Sequence, residues 1–180
     1  MNQENDLNIE LFFEDPKTPP RPRPTSYGVL YLLRRDINTC FDNNAEWPGI
    51  MATLAGIDLL GKFYKGDEIG VGDRFRLFLD YFGNISEEEK EIIYQLRNSL
   101  LHSFGLYSED RRGNIYRFTL GKNFPQFIEQ NGERYYVDVL KLLEYFNLSI
   151  GNYYSALKNS TILQAKFEEM FPKYGAIHMT

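Results

Sequence analysis

Arg97, Asn98 and His102 fall within a run of six residues, and together they could carry out chemistry. An imidazole takes up and releases a proton near neutral pH. A guanidinium presents a fixed fork of donors that matches phosphate or carboxylate oxygens. An amide beside them can orient the ring or bond an oxyanion itself. Asn98 and His102 are four apart and share a helix face. Arg97 and His102 are five apart, about 140° around the axis, so they meet only if the long Arg bends toward the ring. The same residues also have a purely structural reading. A late-helix His interacts favourably with the helix C-terminus, and Arg97 and Asn98 would then tie down the turn over 105–114.

The element that must position these groups begins at Ser86. Ser86 and Glu89 have the spacing of a capping box, and Glu87, Glu88 and Glu89 place negative charge at the positive end of the helix dipole. Ile92, Ile93, Leu96, Leu100 and Leu101 then recur at helical spacing, and Gly105 is the expected stop signal. The pattern predicts a helix of roughly 17 residues, about 26 Å long.

The chain has 180 residues, 43% hydrophobic and 25% charged, as expected for one globular domain with a real core. Aromatic residues make up 16%, so large rings should dominate the packing. A net charge of −5 argues against a surface that binds nucleic acid in bulk, though a local basic patch remains compatible with it. The single cysteine, Cys40, excludes an internal disulfide framework and a cysteine-based metal site, and points to a reducing cytosol. The acidic N-terminus does not resemble a signal peptide, and no window is apolar enough for a membrane span, so a cytoplasmic protein is expected.

Residues 1–26 are expected to form an extended arm, because PKTPPRPRP over 16–24 suits neither helix nor central strand. Arg21 and Arg23 in it could touch RNA or an SH3-like partner, but a surface-hugging lead-in is the plainer reading. Helical periodicity predicts elements over Tyr27–Phe41, from Trp47 through Phe63, and over Val139–Lys158. Asp58, the one acid inside the second of these, is expected on its exposed face. Gly61 and Gly66 have the internal spacing of a phosphate loop, but no Lys-Ser/Thr follows, which excludes that reading. Asp73 is expected to cap a short helix running to Phe82. Arg111–Asn114 should turn into a strand at Ile115–Leu120, and Asn131-Gly132 should close a hairpin. A last helix over Ile162–Phe171 should stop at Pro172, leaving a loose tail that contains His178.

The run Arg97-Asn98-Ser99-Leu100-Leu101-His102, late in a capped amphipathic helix preceded by others, resembles the Arg-x(4–6)-His motif of the HEPN family. Asn directly after Arg adds to the likeness. The resemblance spans Tyr27–Leu157 as helix order and is strong only across 97–102. It implies a mainly α fold: a helical bundle over 27–175 with a β-hairpin or three-stranded insertion around 115–137. It also implies a metal-independent endoribonuclease that uses no cofactor, of the kind found in toxin–antitoxin and anti-phage systems. Two copies would pair as a homodimer with their motifs facing. The substrate would be RNA, and an antitoxin or regulatory protein could be a partner.

In such an enzyme the 2′-hydroxyl of RNA is the nucleophile. His102 would be the acid/base, Arg97 would stabilise the charged phosphate, and Asn98 would position them. One His per chain supplies one proton-transfer group, which gives the dimer a chemical reason. Arg34, Arg35, Arg111 and Arg112 are candidates for flanking RNA contacts, against the plainer reading of solvated surface charge. Phe104 stands where one subfamily has Tyr two residues after the His, so modification of that Tyr does not carry over. The alternative reading is a non-catalytic dimeric binding or regulatory protein of the same fold.

Overall fold

The computed structural model describes residues 3–17, 26–66 and 69–178. Its central element is helix α3, Glu46–Lys65. Ile50, Leu54, Ile57, Leu60 and Phe63 on this helix are all buried, as expected for a helix covered on several sides. Around it pack α2 (Val29–Asp42), α4 (Val71–Phe78), α5 (Glu87–Ser103), α6 (Val139–Lys158) and α7 (Thr161–Tyr174). Gly56 permits the closest of these approaches. A Cβ there would lie 2.6 Å from the Phe146 ring of α6 and 3.0 Å from Leu33 of α2.

The N-terminal segment departs from the expected extended arm. Gln3–Phe12 form helix α1, and Phe12 is wholly buried against Phe63, Phe167 and Phe171. Burial of Ile9, Leu11 and Phe12 outweighs a weak local helical signal. Residues 18–25 of the proline-rich stretch, with Arg21 and Arg23, lie outside the described residues. Helix α2 starts at Val29, because Ser26–Gly28 form strand β1. The expected tail is instead strand β6, Ala176–His178, which pairs antiparallel with β1. His178 Nδ1 lies 2.7 Å from the Ser26 hydroxyl. Helix α7 runs through Pro172 to Tyr174, one turn beyond the expected stop. Asp73 does not cap α4. Gly70 holds that position, and α4 continues into a 3₁₀ turn over Leu79–Phe82.

The β insertion is larger than two or three strands. Strands β2 (Tyr107–Glu109), β3 (Ile115–Gly121), β4 (Ile128–Asn131) and β5 (Arg134–Asp138) form one sheet in the order β2-β3-β5-β4. Strand β5 lies between β3, to which it is parallel, and β4, to which it is antiparallel. The buried Tyr135 and Val137 are on β5, whereas β4 is mostly exposed and takes the edge. Gly132, at φ +62°, opens the two-residue β4–β5 turn, and Glu133 has no positive φ, the type II′ pattern. The protein is mainly helical, with sheets of two and four strands. Among the described residues no helix is long and apolar enough to cross a membrane.

Candidate active site

Helix α5 carries the site, and its start is fixed by reciprocal bonds. The Glu89 N–H donates to the Ser86 hydroxyl at 3.1 Å, and the Ser86 N–H donates to the Glu89 carboxylate at 2.6 Å. Ile92, Ile93, Leu96 and Leu100 face the core. Gln95, Asn98 and His102, spaced three and four apart, share another face. The helix ends at Ser103, and its left-handed terminal residue is Phe104 at φ 48°, where Gly105 had been expected to act. The Gly105 N–H closes back on the Ser99 carbonyl at 3.1 Å. A non-glycine residue in this conformation costs about 1–2 kcal/mol, and the Phe104 side chain recovers little of it, being 71% exposed.

The Arg97 side chain does bend toward His102. Its Nη1 lies 2.6 Å from His102 Nε2 and donates to the Asn98 side-chain oxygen at 3.2 Å. Arg97 has no lone pair to offer, so Nε2 accepts and the ring proton of neutral His102 sits on Nδ1. The rest of the guanidinium is held by α3. Nε and Nη2 donate to Asp58 Oδ2 at 2.9 and 2.6 Å. These four bonds leave one of the five N–H groups uncommitted. Arg97 is only 8% exposed, whereas His102 lies in the open at the end of the helix and Asn98 is half-buried.

Asp58 therefore does not sit on an exposed face of α3. It is the anchor of the site, holding the Arg97 guanidinium from α3. Its Oδ1 is buried without a hydrogen-bond partner. Burial lifts its carboxyl above the usual carboxylate range, against the opposing pull of Arg97, Arg74 and His102. A lone acid on a strongly apolar helix was the available signal. Its partner lies on another helix, which local spacing does not reveal.

The four other candidate arginines divide into two pairs. Arg34 is half-buried on α2 and donates to the Glu14 carbonyl at 3.3 Å, so it ties the end of α1 to α2 and presents no free cation. Its pKa is lowered by that burial. Arg35 is exposed and paired with Asp36 at 2.7 Å. Arg111 and Arg112 sit at the β2–β3 turn and border a cleft of about 710 Å³. Its other walls are the start of α4 and the middle of α5, including Asn98. The turn is braced by Asp110, whose carboxylate accepts from the N–H groups of Arg112 and Asn114 at 2.8 and 2.9 Å. The Ser108 hydroxyl donates to Gln95 at 2.6 Å and fixes the sheet to α5. A second pocket, of about 680 Å³, lies beneath Trp47 and Phe118 and contains none of the candidate residues.

Chemically, the arrangement offers one exposed imidazole whose orientation is set by a buried ion pair, beside a cleft with two arginines at its rim. Among the described residues no group of three or more His, Cys, Asp or Glu is placed to hold a metal ion. No protein-family model, curated protein or solved structure matches this chain.

Proposed function

We propose that the protein is an endoribonuclease of HEPN type that needs no metal, with His102 as its proton-transfer group. The observation that carries this reading is the 2.6 Å contact between Arg97 and an exposed His102 at the end of α5. It joins a cation suited to a phosphate with a ring suited to proton transfer, and solvent can reach the ring.

In the reaction, Arg97 Nη1 turns from the ring to the phosphate, and His102 Nε2, freed of that bond, removes the proton from an RNA 2′-hydroxyl. The oxygen attacks the adjacent phosphorus, the bond to the 5′-oxygen breaks, and a 2′,3′-cyclic phosphate forms. The leaving 5′-oxygen then needs a proton. Two copies of the chain, paired across the ends of their α5 helices, supply it from His102 of the partner subunit. His178 is held on β6 against Ser26 and does not fill this role. Arg97 meets the phosphate with its one uncommitted N–H and gains a second only by releasing His102 or Asn98. Its main task before substrate binds is therefore to hold the ring, and it stabilises developing charge once a phosphate takes over that N–H.

The test is RNA cleavage in chelator by wild type and by His102→Ala, with products examined for cyclic-phosphate ends. General acid–base catalysis is worth about 10²- to 10⁴-fold, so the variant should lose nearly all turnover while keeping its unfolding profile. Equal activity in the two proteins refutes the assignment.

A further inference from the structure

The pocket of about 680 Å³ beneath Trp47 and Phe118 takes no part in the chemistry at His102. Trp47 and Ile50 line it from the first turns of α3, Phe118 and Leu120 from β3, Leu106 from the residue before β2, and Val139 from the start of α6. Ile50, Phe118 and Val139 are buried, so core packing sets this part of the wall. Trp47, the single tryptophan of the chain, is still 40% exposed. Two aromatic rings and four aliphatic side chains suit a flat apolar group, and the volume is that of a small ligand.

The shortness of β2 leaves this side of β3 uncovered. Strand β2 pairs with β3 only as far as Tyr107 opposite Arg117, and the Phe118 N–H then donates to the Leu106 carbonyl at 2.9 Å. The Arg117 N–H donates the other way, to the Glu133 carbonyl beside β5. Odd-numbered residues of β3 therefore turn their peptide groups toward β5 and even-numbered ones toward β2. Leu120 is of the second kind, and among the described residues no strand lies beyond β2 to meet it. The open length, Thr119–Gly121, turns one residue's peptide group outward, too little for addition of a peptide strand, so a small molecule is the fitting occupant.

Three charged residues border the pocket. Lys122 is ion-paired with Glu46, which braces the end of β3 against the start of α3. Arg134 is exposed and, among the described residues, has no acid paired with it. Its Nη1 donates to the Thr119 hydroxyl at 3.3 Å, and the adjacent Glu133 lies with Arg117 at 4.0 Å. Asp138, next to Val139, already accepts from the N–H groups of Phe124, Leu140 and Lys141. Two cations thus face one acid, and the guanidinium left over presents a fork that matches a carboxylate. One unbalanced positive charge fits a monoanion better than the doubly charged group of a phosphate monoester.

We propose that this pocket binds a small aromatic monocarboxylate, with its ring against Trp47 and Phe118 and its carboxylate on Arg134. The inference is independent of the ribonuclease reading, and either can fail without the other.

The probe is biphenyl-4-carboxylate, titrated into the isotopically labelled full-length protein. The single tryptophan gives one indole N–H resonance, which reports on the pocket directly. That signal should shift saturably, with half-saturation at or below about 1 mM for a ligand of this size. Biphenyl-4-carboxamide should bind about fivefold more weakly, the worth of one partly exposed ion pair. Arg134→Gln should weaken the carboxylate by about the same factor and leave the amide unchanged. Arg35→Gln, on a paired surface arginine, should change neither. Absence of a saturable shift overturns the proposal, as does equal affinity for acid and amide or equal weakening by Arg35→Gln. Binding of 4-phenylbenzylamine as tight as that of the acid would refute the role of charge. A Trp47 signal that moves with protein concentration alone would assign the pocket to a second copy of the chain and overturn the proposal too.

Discussion

Replacing Asp58 with alanine takes away the carboxylate on which Arg97 rests. Two N–H groups, at 2.6 and 2.9 Å from one oxygen, lose their acceptor, while Asn98 and His102 remain on Nη1. Hydrogen bonds to charged groups are worth about 1.5–3 kcal/mol each. The two share an oxygen and do not add in full. Removing one partner of a fully buried pair costs about 3–5 kcal/mol, because the remaining charge is stranded. Arg97 is 8% exposed and Asp58 somewhat more, so a loss of about 3 kcal/mol is expected. Urea unfolding followed by circular dichroism should register it as a midpoint lowered by about 1–2 M. Asp58→Asn keeps an oxygen for Arg97 but not the countercharge, so it should lose less than Asp58→Ala while still destabilising the protein. In an Arg97→Met background there is no cation to strand, so Asp58→Ala should cost far less there. A loss below about 0.5 kcal/mol in the native background, or the same loss with and without Arg97, would refute the anchoring role.

The raised pKa of Asp58 carries a definite sign. Its contribution to stability is fully present below the unfolded carboxylate value of about 3.9 and is lost as pH climbs through the higher folded value, so wild type should weaken relative to Asp58→Asn over that rise in a urea series at stepped pH. Tyr153 is wholly buried, and its hydroxyl has no hydrogen-bond partner, so Tyr153→Phe should leave the melting temperature unchanged or raise it. Phe104→Gly relieves a left-handed backbone at a largely exposed position and should add about 1 kcal/mol in the same unfolding assay.

Local chemistry was legible in the sequence wherever it was complete within a few residues. The Ser86–Glu89 box, the apolar stripe of α5 and the turn at Asp110–Asn114 each carry their own signal and lie where their residues place them, whereas the hairpin turns at Gly132-Glu133, one residue past the expected Asn131-Gly132. The Arg97–His102 contact was also legible, because five helical residues limit how far apart the two groups can be. What escaped depends on partners far along the chain. Asp58 meets Arg97 only once α3 and α5 are packed together. Strands β1 and β6 are three residues each, too short for periodicity to register, and exist because they pair with each other. The place of β5 between β3 and β4 follows from burial of Tyr135 and Val137, which alternation alone does not rank. Helix α1 is marginal by propensity and is decided by the ring cluster around Phe12.

That ring cluster has a consequence for how the chain is made. Phe12 packs on Phe167 and Phe171, so α1 leaves the ribosome long before its binding surface on α7 has been translated. The intervening helices can assemble around α3 in the meantime, but the groove they offer α1 stays half-built, with Phe63 open to solvent. A nascent chain stalled ahead of Thr161 should therefore be a sticky, protease-sensitive intermediate and a natural client for chaperones. Locking of the N-terminal helix would then be one of the latest steps in its maturation.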